Sequence, residues 1–295
     1  MDQTPPVIDY EGSDYQQSFW ERGGRDYEDQ AEAVALQRML PQRGELMLEL
    51  GAGAGRNTPR YDGFERVVLL DYSLTQLQQA QSRLGKSTRY TYVAADVYRL
   101  PFVDGLFDAA TMIRTLHHLV DAPRALNQVH NVLGPAGCFI LEYANKRNLK
   151  AITRFLLRKQ DWNPFSFEQV EFAELNFDFH PRTIKLWLQE AGFTILRQLT
   201  VSHFRIGFIK RVLPTWMLVK FDALAQLTGN WWQLTPSVFV YSRADESKDV
   251  AAIGTFFKCP ICDNSSLERQ ENGLICGGCS TEWSIHDGIY DFRLN

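Results

Sequence analysis

The chain has 295 residues and a formal net charge of −4, from 31 Lys+Arg against 35 Asp+Glu, with 45% hydrophobic and 22% charged residues. This is an ordinary globular balance, long enough for one large domain or one domain plus a small module, and it disfavours a globally basic nucleic-acid binder while leaving room for a local basic patch. The acidic start MDQTPPVIDYEGSDY is no signal or transit peptide, no apolar run approaches the ~20 residues of a membrane span, and four of the five cysteines crowd the end of the chain, so a reduced, cytoplasmic setting with a metal site is expected rather than a disulfide framework.

In chain order, the first 25 residues carry no periodicity. Ala33, Leu36, Met39 and Leu40, at near 3–4 spacing, predict a helix over Tyr27–Leu40 that Pro41 and Gly44 stop. Strands are expected at Leu46–Leu50, Val67–Leu70, Tyr90–Ala94 and Phe107–Ile113, and at Cys138–Ala144 after a Gly-Pro-Ala-Gly turn. Helices fall between them at Ser73–Leu84, capped by Ser73, and at Ala122–Leu133. This alternation predicts an α/β, doubly wound parallel sheet. Lys146–Lys159 holds six basic residues and no acidic one, and reads as a cationic helix with Ile152, Phe155 and Leu156 inside. A helix at Pro181–Ala191, a strand at Phe193–Val201, an apolar, aromatic stretch at Gly207–Leu227 and a strand at Val238–Tyr241 follow. Arg243–Thr255 is polar and then small, and reads as a linker. The expected division is a lead-in and helix at 1–44, a main domain at 45–242 with insertions at 146–180 and 203–234, the linker, and a module at 256–295.

LELGAGAGR (Leu48–Arg56) places Gly51, Gly53 and Gly55, with Ala52 between, just after the first strand, where a glycine turn lets backbone approach a ligand. The dinucleotide pattern G-x-G-x-x-G needs glycine at position 56, which is Arg56, so a pyrophosphate ligand is disfavoured. Glu49 before the loop repels phosphate and tolerates a cationic ligand, and Asp71 at the end of the second strand can accept both hydroxyls of a ribose.

Residues 45–145 resemble the core of the class I S-adenosylmethionine-dependent methyltransferases, most of all the ubiquinone-biosynthesis-like "type 11" group. The resemblance rests on this loop, Asp71, AADVYRLPFVDGLFDA (Ala94–Ala109), RTLHHLVDAPRAL (Arg114–Leu126), GPAGCFILEY and QEAGF (Gln189–Phe193). It implies a seven-stranded Rossmann-like sheet with one antiparallel strand, and S-adenosylmethionine as cofactor. It also implies that Asp96 meets the adenine amino group, Val97 meets the ring, and the segment opening with Arg114 lines the pocket. Tyr72 and Phe102 could pack on the adenine faces, Arg25 of GGRDY could reach the amino-acid carboxylate, and His118 or His117 could serve as a base or simply shape the pocket. Cys138 reads as a small buried hydrophobe.

CPIC (259–262) and CGGC (276–279) form two knuckles whose four thiolates, Cys259, Cys262, Cys276 and Cys279, can close a tetrahedral structural Zn²⁺ site. With Trp283–Ile285 and Asp287–Ile289, the tail resembles the zinc-ribbon activator family that partners methyltransferases acting on transfer RNA, ribosomal RNA and release factors, although Tyr290 stands where that family carries proline. That resemblance implies a protein-partner role for the ribbon, here fused in cis.

The acceptor is left between classes. The basic helix could track RNA phosphates, lie on an anionic membrane surface or be solvated, and the apolar 207–232 stretch suits a lid over a small or lipid-like acceptor. The small acceptor is favoured over RNA or a translation protein. A non-catalytic scaffold that recruits a partner through the ribbon stands as the contrasting reading.

Overall fold

The structure, a computed structural model, describes residues 5–8, 10–13, 20 and 23–294, so parts of the acidic lead-in lie outside the described residues. After helix α1 (Asp26–Met39) the chain alternates: β1 (Gly44–Leu50), β2 (Phe64–Asp71), α2 (Leu74–Leu84), β3 (Tyr90–Ala94), β4 (Phe107–Met112), α3 (Ala122–Val132) and β5 (Leu133–Ala144). The caps follow local chemistry. Ser73 Oγ accepts from Gln76 N at 3.3 Å, and Asp121 accepts from Arg124 N at 3.1 Å, ahead of Pro123 in the first turn of α3. β1 is buried on both faces: Leu46, Leu48 and Leu50 enter one core and Met47 the other, as a period of two requires.

The second half supplies α4 (Leu149–Leu156), a hairpin of β6 (Val170–Ala173) and β7 (Asn176–Asp178), α5 (Pro181–Glu190), β8 (Thr194–Val201), α6 (Gly207–Val212), α7 (Thr215–Ala225) and β9 (Ser237–Arg243). These strands complete the order β3-β2-β1-β4-β5-β9-β8, in which β9 alone runs antiparallel to its neighbours. The order reverses between β1 and β4, and the crevice outside their carboxyl ends is where such sheets bind ligands.

The seven-strand expectation is corrected by the C-terminal segment. Strands β10 (Leu267–Arg269), β11 (Gly273–Cys276), β12 (Glu282–His286) and β13 (Ile289–Asp291) extend the same sheet to eleven strands among the described residues. β13 pairs in parallel with β3, Tyr290 opposite Val93 and Asp291 opposite Ala94. Aromatic packing joins the two parts. Phe257 stacks on Phe102 at 5.7 Å and lies 4.8 Å from Tyr290 and 5.0 Å from Phe292. Phe102 therefore belongs to this core, fully buried, and not to an adenine face.

Two further expectations change. The stretch after Arg243 is strapped to the domain: Ala244 N donates to Gly137 O and Ala251 N to Gly105 O, so close to Gly105 that a Cβ there would meet Asp249 O at 2.1 Å. On α4, only Ala151 is buried and Leu156 is exposed, because the helix rests on the domain through its first turn.

Candidate functional site

A cavity opens at the carboxyl ends of β1 and β2, lined by Gly51, Ala52, Gly53, Asp71 and Tyr72. The glycine loop is shaped by positive φ at Gly51 (65°), Gly53 (52°) and Gly55 (70°). At Gly51 a Cβ would fall 2.0 Å from Thr115 Oγ1, so a larger residue would push into the segment after β4. Asp71 ties the loop to β2: Oδ2 accepts from Gly53 N at 2.8 Å and Oδ1 from Ser73 N at 3.0 Å. A carboxylate in this position lines the cavity and can accept from a ligand diol. Ala95 and Val97 line the cavity on either side of Asp96, which is buried and accepts from Tyr98 N at 2.9 Å. Burial pushes the Asp96 carboxyl upward.

Glu49 does not line the cavity. It lies under the loop, buried, accepting from Thr58 Oγ1 at 2.5 Å and Tyr61 Oη at 3.2 Å, and burial pushes its carboxyl up to about 7 against those hydrogen bonds. Nor does Arg25, which precedes the first turn of α1. The cations of the cavity wall are Arg56 and Arg114. Both converge on Glu32 of α1: Arg56 Nη2 reaches it at 2.8 Å and Arg114 Nε at 2.7 Å. Although burial opposes it, this double pairing holds the Glu32 carboxyl down at about 2. Trp20 packs here, with Arg56 3.6 Å and Arg114 4.8 Å from its ring centre. Arg114 has φ +57°, a strained setting for a non-glycine residue, fixed by its N–H donating to Glu142 Oε2 at 3.0 Å. Sequence reasoning missed Arg56, Glu32 and Trp20. Arg56 registered only as a misfit to a nucleotide motif, and the other two carry no local signature.

The histidines separate. His118 lines the cavity, while His117, 3.9 Å away between ring centres, does not. His117 Nδ1 is buried with no hydrogen-bond partner among the described residues, and burial, reinforced by His118, puts its pKa well below the ordinary range. His118 Nδ1 lies 3.3 Å from Leu175 O, and its Nε2 3.1 Å from the Tyr10 hydroxyl. A carbonyl can only accept, so Nδ1 carries the proton and Nε2 is the acceptor. Burial lowers the His118 pKa, and this imidazole is neutral at pH 7.

The lead-in closes the cavity through Val7, Ile8 and Tyr10. It is anchored by Glu11, whose carboxylate accepts from Leu74 N (2.9 Å) and Thr75 N (3.2 Å) at the start of α2, where an anion is favoured. Arg293, just past β13, reaches the same place. It pairs with Asp291 at 2.8 Å and lies 3.7 Å from Glu11, its Nη1 donates to Tyr72 O at 3.4 Å, and its guanidinium lies 5.8 Å from the centre of the Tyr72 ring.

The four cysteines form a second centre. Their sulfurs all lie within 4.8 Å of one another, Cys259 to Cys279 at 3.7 Å and Cys262 to Cys276 at 3.5 Å. Zn–S bonds of ~2.3 Å give tetrahedral S–S edges of ~3.8 Å, so the cluster can hold a structural zinc with all four positions filled by protein.

Residues 48–141 match a family model described as a methyltransferase domain. The chain is similar to a demethylmenaquinone methyltransferase of Clavibacter sepedonicus, 29% identical over 199 residues, 63% of this chain and 81% of that protein. It is also similar to a demethylmenaquinone methyltransferase of Paenarthrobacter aurescens, 31% identical over 178 residues, 55% of this chain and 67% of that protein. In fold it resembles a chain from a Haloferax volcanii complex between the Trm112 methyltransferase activator and a methyltransferase, with a TM-score of 0.56 at 16% identity, over 78% of this chain and 96% of that one.

Proposed function

This chain belongs to the class I S-adenosylmethionine-dependent methyltransferases, and we propose that it passes the methyl group to a small, apolar, quinone-like acceptor held beside His118. The observation that carries the acceptor reading is the apolar part of the cavity lining, where Val7, Ile8, Ile113 and Leu119 line the same cavity as the His118 imidazole, whose pKa burial lowers. The names of the demethylmenaquinone relatives support the same class.

S-adenosylmethionine, when bound, supplies a methyl group that its sulfonium already makes electrophilic, so the protein has to position and desolvate rather than activate covalently. The loop fits such a ligand: Gly51 and Gly53 leave room for backbone approach, and Asp71 lines the cavity with a carboxylate that can accept from ribose hydroxyls. Asp96, between two lining residues, is the candidate for the adenine amino group, with Val97 and Tyr72 at the ring. Arg56 and Arg114, oriented by Glu32, take the role expected of Arg25 toward the amino-acid carboxylate. His118 would act through Nε2, accepting the proton of an acceptor hydroxyl in place of that of Tyr10. His117 is not among the residues that line the cavity, so the base role is given to His118 alone.

The ribbon reads as a built-in support rather than a recruiter. Its β13 edge is already used in pairing with β3, and its aromatic side is buried against Phe102. This favours a stabilising role within the chain over recruitment of another partner.

The test is methyl-labelled cofactor incubated with purified protein and fractions of a cell extract. Label in the solvent-extractable lipid fraction, lost in His118→Ala with cofactor binding retained, is the expected result. Label confined to RNA or to protein would sink the small-acceptor reading and move the function to a macromolecule.

A further inference from the structure

We propose that the face built by α4 and residues 206–234 docks on an anionic lipid bilayer. The first observation is exposure. Trp231 is 78% exposed, Phe208 74% and Trp232 64%, and Trp216 and Leu224 are also more than half exposed. On α4 and its end, Leu149, Leu156 and Leu157 are each at least 60% exposed. Single exposed apolar residues need no explanation, but this many in two adjoining segments mark an interaction surface.

The second observation is charge. Residues 146–160 contain no acid, and the one acid in 206–234, Asp222, is fully buried, bonded to Tyr27, His203 and Gln226. The exposed side chains of both segments are therefore apolar, neutral or cationic. Lys150, Arg154, Arg158 and Lys159 are exposed on or just after α4; Arg211 and Lys220 serve the other segment, Lys220 lying 5.1 Å from the Trp216 ring centre. Two nearby cations are engaged elsewhere, Lys210 with Glu28 and Lys146 with Glu168 O. Asp161, exposed just after α4, lines a groove with Lys150, Arg154 and Lys159, so the four exposed cations there outnumber it. In a chain of net charge −4, a surface with this excess of cations is complementary to anionic headgroups, and Trp with Lys or Arg around an apolar patch is the composition of an interfacial surface.

The third observation is continuity. Leu149 N donates to Leu234 O at 2.8 Å and Asn145 Nδ2 to Gln233 O at 2.9 Å, so the start of α4 abuts the residues just after Trp231 and Trp232. Both segments leave from the carboxyl ends of β5 and β8, the end of the sheet at which the cavity opens. A bilayer on this face would lie beside the entrance for an apolar acceptor.

Co-sedimentation with vesicles tests the proposal without any turnover, so its failure is separate from failure of the acceptor reading. The protein is expected to bind phosphatidylglycerol vesicles and to bind pure phosphatidylcholine far less. Lys150→Gln, Arg154→Gln and Arg158→Gln together should weaken binding on the order of 100-fold, at about fivefold per cation. Trp231→Ser with Trp232→Ser should weaken it at least about tenfold, since burying a large apolar side chain is worth ~1.5–3 kcal/mol. Calorimetry with S-adenosylhomocysteine checks that both variants keep their fold. Absence of vesicle binding, or binding that neither variant weakens, overturns the proposal. So does a dimer in solution that Trp231→Ser dissolves while vesicles remain unbound, which assigns the face to a second copy. RNA retention lost with the three cations, without vesicle binding, overturns it as well.

Discussion

At the β3 edge of the sheet, Phe102, Phe292 and Trp283 are buried and pack with the half-buried Phe257; at the β8 edge, Phe208, Trp216, Trp231 and Trp232 are exposed. The two edges hold the same kinds of side chain. They differ in what covers them. Beside β3 the chain itself returns as strand β13, whose three residues would be marginal as an isolated strand but are fixed by a ribbon with a four-cysteine centre. Beside β8 lies no further strand among the described residues but a short 3-10 helix, Gln226–Asn230, which carries the chain toward the tryptophans. Aromatic residues at a sheet edge thus become core only where a rigid partner is supplied. Otherwise they remain available to something outside the chain.

Removing the metal should break this contrast most. Apparent binding energies of structural zinc are on the order of 10 kcal/mol, so chelation is expected to unfold residues 256–294 and leave β3 as an open edge. Hydrogen exchange at residues 289–292 should rise to that of an unfolded segment, with light scattering increasing; unchanged protection would remove the metal from the account. The next test sets the edges side by side. Phe102→Ala should cost about 3–5 kcal/mol in urea unfolding. Trp231→Ala should change stability by no more than about 0.5 kcal/mol. Equal costs would mean that the exposed edge is packed in solution.

Between the edges, Glu49→Gln supplies a reference set by pH. The Glu49 carboxyl, ordinarily near 4.5, is held at about 7 by burial, so the folded chain keeps a proton that the unfolded chain releases. Wild-type stability therefore contains a contribution that is complete below pH 4.5 and is lost as pH rises to 7. The glutamine variant should gain about 2–3 kcal/mol over wild type at pH 8 and little at pH 4, read from melting temperatures. Equal effects at the two pH values would show that Glu49 is not buried as a neutral acid. A smaller effect than that of Glu49→Gln is expected of Arg293→Ala, which cuts the ribbon's tie to Tyr72 and Glu11. Affinity for S-adenosylhomocysteine should fall about threefold to tenfold with the melting temperature nearly unchanged. No change in affinity would confine the ribbon's influence to its own edge.

The fold was legible where the signal is local. Alternating buried runs such as Leu46–Leu50, the cap at Ser73 and the glycines after β1 each write their structure into a few neighbouring residues. The pairing of β13 with β3 was not, because three residues carry no usable period and the partner lies nearly 200 positions earlier. In the candidate site, Gly51 and Asp71 could be picked from their places after the first two strands, and His118, with His117, from the resemblance of its segment; Gly51, Asp71 and His118 are found around one cavity, whereas Trp20 and Tyr10 reach it from a lead-in with no pattern at all. Leu156 misled for a related reason. Helical periodicity identifies an apolar face but not whether anything in the chain lies against it.

The contact of Arg293 with Glu11 and Tyr72 also bears on the birth of the molecule. A chain synthesised from its amino end presents the lead-in early, and the β1–β5 half of the sheet can form while the ribbon is still unmade. The tie across the cofactor cavity joins positions 11 and 293, so it forms only after the ribbon has emerged from the ribosome and taken its place beside β3. Full affinity for the cofactor would then wait on the docking of the ribbon, and chains in which it has not yet folded would be poor competitors for it.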